Sequence, residues 1–145
     1  MRAIVHELRP PTLDELGLAG AVRELATRFA VRGRRVDADV TELGELPAAV
    51  DLAAYWIISE ALANTARHSD ARTVRVAVRR DDRWLRLEVV DDGRGIDTDA
   101  PAGVGLTSMQ ARAEEVNGRC TIGPGPDGSG VVVAARLPLT LEEAA

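Results

Sequence analysis

The chain has one cysteine, Cys120, in 145 residues, so no internal disulfide can hold it together and the count fits a reducing compartment. Alternation of Cys120 with Ile122 marks the thiol as a buried strand residue rather than a nucleophile. Aromatic residues are only 3%, which leaves Val, Leu, Ile and Ala to build the core. No apolar run approaches the roughly 20 residues needed to span a bilayer, and the first residues do not resemble a signal peptide. The expectation is a soluble chain. A net charge of −5, with Arg and Asp/Glu interspersed, gives no basic footprint and argues against nucleic acid as a partner. GxxxxGK[ST] is also missing, so a phosphate cradle, if there is one, is not a Walker loop.

What remains is 46% hydrophobic and long enough for one domain with a real core. Residues Met1 to Leu8 read as the last turns of a helix that Pro10 and Pro11 stop, and the chain looks truncated there. Leu18, Val22, Leu25, Ala26 and Phe29 fall at helical spacing, with Gly33 as a stop. Val36, Ala38 and Val40 alternate with acids as a half-buried strand. Pro47 suits a helix start, and a long apolar helix follows from Val50 to about His68. Val74 to Val78 and Leu85 to Val89 alternate with charged residues on either side of Asp81-Asp82, a strand hairpin. Leu106, Met109, Ala113 and Val116 make a third helix capped by Asn117-Gly118. Cys120 to Ile122 and Val131 to Leu137 supply the last strands. The sum is an α/β (α+β) two-layer sandwich: a mixed, mostly antiparallel sheet of about five strands with three helices on one face.

Three segments carry the chemistry. On the long helix, at about 100° per residue, Asn64 lies about 40° from Glu60, Arg67 about 20° the other way and His68 about 80° on. These four form one polar stripe emerging from an apolar helix, where an unpaired buried polar group costs about 1 to 3 kcal/mol. The amide oxygen of Asn64 suits Mg²⁺, Glu60 could hold a coordinating water or act as a base, and Arg67 could neutralise a phosphate. The plainer reading is a solvated helix face. Next, DDGRG follows a hydrophobic strand, where Asp91 could accept a hydrogen bond from an exocyclic amine while Gly93 and Gly95 let a flat ring approach. Taken alone it is a common β-turn signal. In GVGL, Gly103 and Gly105 precede a helix N-terminus, a ready anion site, or simply end a loop before Leu106.

In this order, EALANTARHSDA, DDGRG and GVGLTSMQARAEEVNG resemble the N, G1 and G2 boxes of the ATP-binding domain of bacterial sensor histidine kinases, a branch of the Bergerat-fold superfamily. HELRPPTLDELGLAGAVREL resembles the segment that joins the dimerisation hairpin to that domain in the nitrate and nitrite sensors. The resemblance implies ATP and Mg²⁺ as cofactors. By it Asn64 binds the metal, Glu60 assists there, Arg67 and His68 face the phosphates, and Asp91 reads the adenine amine. Gly93, Gly95, Gly103, Gly105 and Leu106 shape the pocket and its lid. One departure is Val131, where the pattern GxGTxV would place Thr after Gly130, leaving a water or Ser129 to supply a hydroxyl.

HELRPP also looks like the HELRTP phosphoacceptor box of another kinase class. There a helical hairpin lies between the box and the ATP domain, and here the helix from Leu18 and the strand from Val36 use most of the chain between His6 and Asn64. His6 is therefore read as an ordinary helix residue, with the acceptor histidine expected upstream. The division expected is 1–17 for the end of the dimerisation helix and linker, 18–140 for the ATP-binding domain and 141–145 for a tail. The implied reaction moves the γ-phosphoryl of ATP to a histidine on the dimerisation domain of a homodimeric kinase, then to a response regulator. The setting is cytoplasmic, within a parent that could be membrane-anchored. The alternatives are a nucleotide-binding regulatory module without catalysis, or a Bergerat-fold ATPase or anti-sigma-type serine kinase.

Overall fold

The computed structural model describes residues 9–68, 71–93, 104–125 and 128–140. The alternating runs form five strands: β1 (Arg35–Val40), β2 (Thr73–Arg80), β3 (Trp84–Asp91), β4 (Arg119–Pro124) and β5 (Val131–Pro138). Their order across the sheet is β1-β2-β3-β5-β4. Only β1 and β2 run parallel, and the other neighbours are antiparallel. Among the described residues there are three helices: α1 (Pro11–Phe29), α2 (Ala48–His68) and α3 (Val104–Glu115). This is the expected two-layer sandwich. The expected helix over Met1 to Leu8 and the residue His6 lie outside the described residues.

Two helix boundaries differ from the sequence expectation. Helical structure starts at Pro11, whose preset φ and missing N–H suit a first turn, and it is interrupted at Gly17 with φ 73° and ψ 176°. The regular helix then runs from Leu18, where the spacing placed it. It ends at Phe29, before Gly33, because the Ala30 N–H bonds back to the Thr27 carbonyl at 3.3 Å. Gly33, with φ +81°, belongs to the turn into β1. At the end of α3 the Gly118 N–H reaches the Ala113 carbonyl (2.7 Å) and the Asn117 N–H reaches Glu114 (3.0 Å), with Asn117 in the left-handed region at φ 64°. That pair of bonds is a Schellman cap, and Asn117 is its left-handed residue.

Between the layers, Leu13, Val22 and Leu25 of α1, Val50, Ile57, Ile58 and Leu62 of α2 and Met109 of α3 cover Val74, Val76, Val78, Leu85, Leu87 and Leu137 of the sheet. Each such aliphatic side chain contributes about 1.5 to 3 kcal/mol when fully buried. Leu13 is 2% exposed, so the turn ahead of Gly17 belongs to this core. Arg9 ties the chain just upstream to α2: it bonds Asp14 (2.9 Å), the Ala48 carbonyl (2.9 Å) and Asp51 (3.1 Å). The Asp51 carboxylate raises the pKa of the Arg9 guanidinium above its ordinary value. Cys120 is buried as expected, and burial pushes its thiol from 9.0 up to about 11, which keeps it protonated near neutrality. On the opposite face Arg79, Arg86, Arg136 and Arg119 stand in one cross-strand row. Their repulsion is offset by Asp39 on Arg79 (2.9 Å), Asp81 on Arg86 (3.0 Å) and the Trp84 ring under Arg136 (4.9 Å). That face is too polar to bury under helices. No described helix is long and apolar enough to cross a membrane.

Candidate functional site

The helix α2 changes character along its length. Tyr55, Ile57, Ile58, Ala61 and Leu62 are buried, while Glu60 and Asn64 are half-buried and Arg67 is exposed. The stripe read from the sequence is a bonded cluster: Arg67 Nη2 donates to Asn64 Oδ1 at 2.5 Å and to Glu60 Oε2 at 3.3 Å. One cationic group thus sits between an amide oxygen and a carboxylate. His68 is the last residue of the helix. Trp56, earlier on α2, lies beside Arg112 of α3, whose guanidinium is 5.5 Å from the ring centre.

Asp91 closes β3. It shares a face with Leu85, Leu87 and Val89, so its carboxylate enters the side of the sheet that the helices cover, and the residue is 7% exposed. In register it stands between Val74 of β2 and Val131 of β5. Its Oδ1 accepts the Gly93 N–H at 2.9 Å and its Oδ2 accepts the Thr65 hydroxyl at 3.2 Å. Asp92 is instead tied to the edge of β2, where Oδ1 accepts the N–H groups of Arg72 (2.9 Å) and Thr73 (3.1 Å). The bond from Thr73 is the main reason its carboxyl titrates below the ordinary 3.8. Across the sheet Gly130 has φ +75°, and a Cβ there would collide with the Asp91 carbonyl oxygen. Glycine is needed for that close approach.

The fold therefore brings Glu60, Asn64, Arg67, Asp91 and Gly93 to one end of the α2–β3 contact. Thr65, next to Asn64, is the link between the two motifs. Gly105 and Leu106 fall in the first turn of α3, while Gly95, Gly103 and the loop 97–102 lie outside the described residues. The sequence reading missed Thr65. Five positions after Glu60 it faces inward at about 140°, and the useful signal was a hydroxyl on an otherwise apolar side. Thr65 supplies a hydroxyl to Asp91 from the helix side, a contact separate from the water or Ser129 expected near Val131.

Two hollows lie away from this cluster: one of about 270 Å³ on the open sheet face beside Arg86, Arg119 and Arg136, and one of about 580 Å³ beside Arg32, Arg34 and Arg72. Neither includes a residue of the α2 stripe or Asp91. Among the described residues no group of three or more His, Cys, Asp and Glu could hold a metal ion. Among the described residues of the stripe, Asn64 and Glu60 offer oxygens to a metal, a set that fits a hard ion sharing its sphere with waters and phosphates.

A family profile described as histidine kinase-, DNA gyrase B-, and HSP90-like ATPase matches residues 49–141, which take in α2 from its second residue onward, β3 and α3. The chain belongs to this ATPase family. It is 32% identical over 146 residues to the sensor histidine kinase LiaS of Bacillus subtilis (strain 168), a match that covers 99% of this chain and 40% of LiaS. This member thus spans well under half the length of that relative. Among solved structures, the histidine kinase domain of the blue-light activated kinase of Erythrobacter litoralis EL346 superposes with a TM-score of 0.74 at 20% identity, covering 88% of this chain and 68% of that one. Full-length ShkA in complex with AMPPNP gives 0.70 at 21% identity, covering 85% and 30%. These likenesses establish that the family's ATP-binding domain and this chain share one fold.

Proposed function

We propose that residues 18–140 are the ATP-binding catalytic domain of a cytoplasmic portion of a sensor histidine kinase of the nitrate- and nitrite-sensor type. Residues 1–17 end the dimerisation helix and linker, and 141–145 form a tail. The domain presents the γ-phosphoryl of ATP to a histidine on the dimerisation domain of the homodimeric parent, for relay to a response regulator. One observation carries the reading: a buried, acceptor-only carboxylate, Asp91, is held on the helix-facing side of the sheet by the neighbour of Asn64.

Asp91 accepts a hydrogen bond from the adenine amine, which guanine cannot offer at that place. Gly93 gives its N–H to Asp91 and leaves no side chain above the ring. Magnesium, when bound, offsets the charge of the phosphates in a transfer that depends mostly on positioning and electrostatics. Asn64 and Glu60 are the residues that would hold it, Asn64 through its amide oxygen and Glu60 directly or through a water. Arg67 and His68 would face the phosphates of bound ATP, and Gly95, Gly103, Gly105 and Leu106 would shape the pocket and its lid.

Calorimetry tests the reading. Asp91→Asn loses a charge-assisted bond worth about 1.5 to 3 kcal/mol, so ADP affinity should fall at least about tenfold. Unchanged affinity removes Asp91 from the site. In a kinase rebuilt with its upstream acceptor helix, Asn64→Ala should abolish transfer of γ-label while ADP without metal still binds, with a melting curve confirming the fold. The 145-residue chain alone should gain no acid-labile, base-stable label. Label that disappears in His6→Gln would make His6 the acceptor.

A further inference from the structure

Two polar residues among the described ones are buried, Thr65 at 5% and Asp91 at 7% exposure, and they touch. The Thr65 hydroxyl has one proton and two acceptors, the Ala61 carbonyl and Asp91 Oδ2, each at 3.2 Å. A hydrogen bond to an ionised carboxylate is about twice as strong as one to a neutral carbonyl, so the proton goes to Asp91. Back-bonding to Ala61 is the resting alternative open to any helical Thr. With the Gly93 N–H on Oδ1 and Thr65 on Oδ2, both oxygens are tied from different directions and the carboxylate plane is fixed. Each oxygen still has a lone pair to offer. On β5 the residue in register with Asp91 is Val131, which itself has no hydroxyl.

We propose that Thr65 is a positioning residue for adenine recognition, aiming the Asp91 carboxylate at the exocyclic amine. The inference rests on the reading of Asp91 as the adenine contact. Its distinguishing property is ligand selectivity. A hydroxyl that only supports the fold affects every nucleotide alike, whereas one that aims Asp91 affects only ligands with the amine.

The experiment titrates ADP and purine riboside diphosphate, which lacks the amine, into the 145-residue chain and its Thr65→Val and Thr65→Ser variants, each with a melting curve. On the scale of one charge-assisted bond, Thr65→Val should weaken ADP about tenfold and purine riboside diphosphate less than about twofold, while Thr65→Ser stays within about threefold for both. If Thr65→Val does not fold, Thr65→Ala removes the same hydroxyl without adding a methyl, and the same selectivity is expected. Equal weakening of both ligands, or ADP binding unchanged, overturns the proposal. Asp91→Asn separates the two levels: if it loses ADP while Thr65→Val does not, only the role of Thr65 fails, and if it keeps ADP the adenine reading fails with it.

Discussion

Arg67 occupies, on the stripe of α2, the place of a cation between Asn64 Oδ1 and Glu60 Oε2. A metal that takes the Asn64 oxygen must displace it, and the cost is small because exposed ion pairs contribute about 0.2 to 1 kcal/mol. Arg67→Met should therefore raise the Mg²⁺-dependence of ADP binding by about threefold and weaken metal-free ADP, by the same scale of exposed charge pairing. Calorimetry in Mg²⁺ and in EDTA measures both, and an unchanged ratio would separate Arg67 from the metal. This stripe was legible in the sequence because four polar residues on one face of an apolar helix are costly unless they have partners. Asp91 was legible as a carboxylate closing a hydrophobic strand. Thr65 was not, because a hydroxyl is close to neutral on any scale of polarity and its partner lies on a strand distant in sequence.

The strands themselves are recorded in alternation, which is a local property, and all five were readable at nearly their true bounds. Their order is a non-local property: nothing in β5 or β4 marks β5 as the neighbour of β3. Helix ends were blurred for a related reason, since Pro11 starts a turn that Gly17 interrupts and only the burial of Leu13 gives that turn a purpose. The turns that join these elements carry the acid sensitivity. Asp81, between β2 and β3, accepts the N–H groups of Arg83 (2.9 Å) and Trp84 (2.8 Å), which hold its carboxyl below the ordinary 3.8, as Thr73 does for Asp92. Because the folded values are depressed, this stabilisation is complete above 3.8 and is lost as pH falls through the lower native values. Thermal melts between about pH 7 and pH 2 should show a steep acid limb that Asp81→Asn and Asp92→Asn each flatten. An acid limb of unchanged slope would assign the loss to other carboxylates.

At the scale of the whole molecule, α2 is also the crossover that lets β1 run parallel to β2. The β2–β3 hairpin closes through a turn of three residues, whereas β1 finds β2 only after nearly all of α2 has been laid across the sheet. Long closures are paid for before they are rewarded, so the hairpin should form first and the crossover late. The two tryptophans of the chain report on these two events separately: Trp84 begins the hairpin strand β3, and Trp56 lies in α2 against α3. In stopped-flow refolding of the single-tryptophan variants Trp56→Phe and Trp84→Phe, the Trp84 signal should settle before that of Trp56. Coincident signals would mean that the crossover does not lag. Since Glu60, Asn64 and Thr65 ride on that same helix, the capacity to bind nucleotide should return with the slower signal, which makes the site one of the last parts of the chain to exist in time.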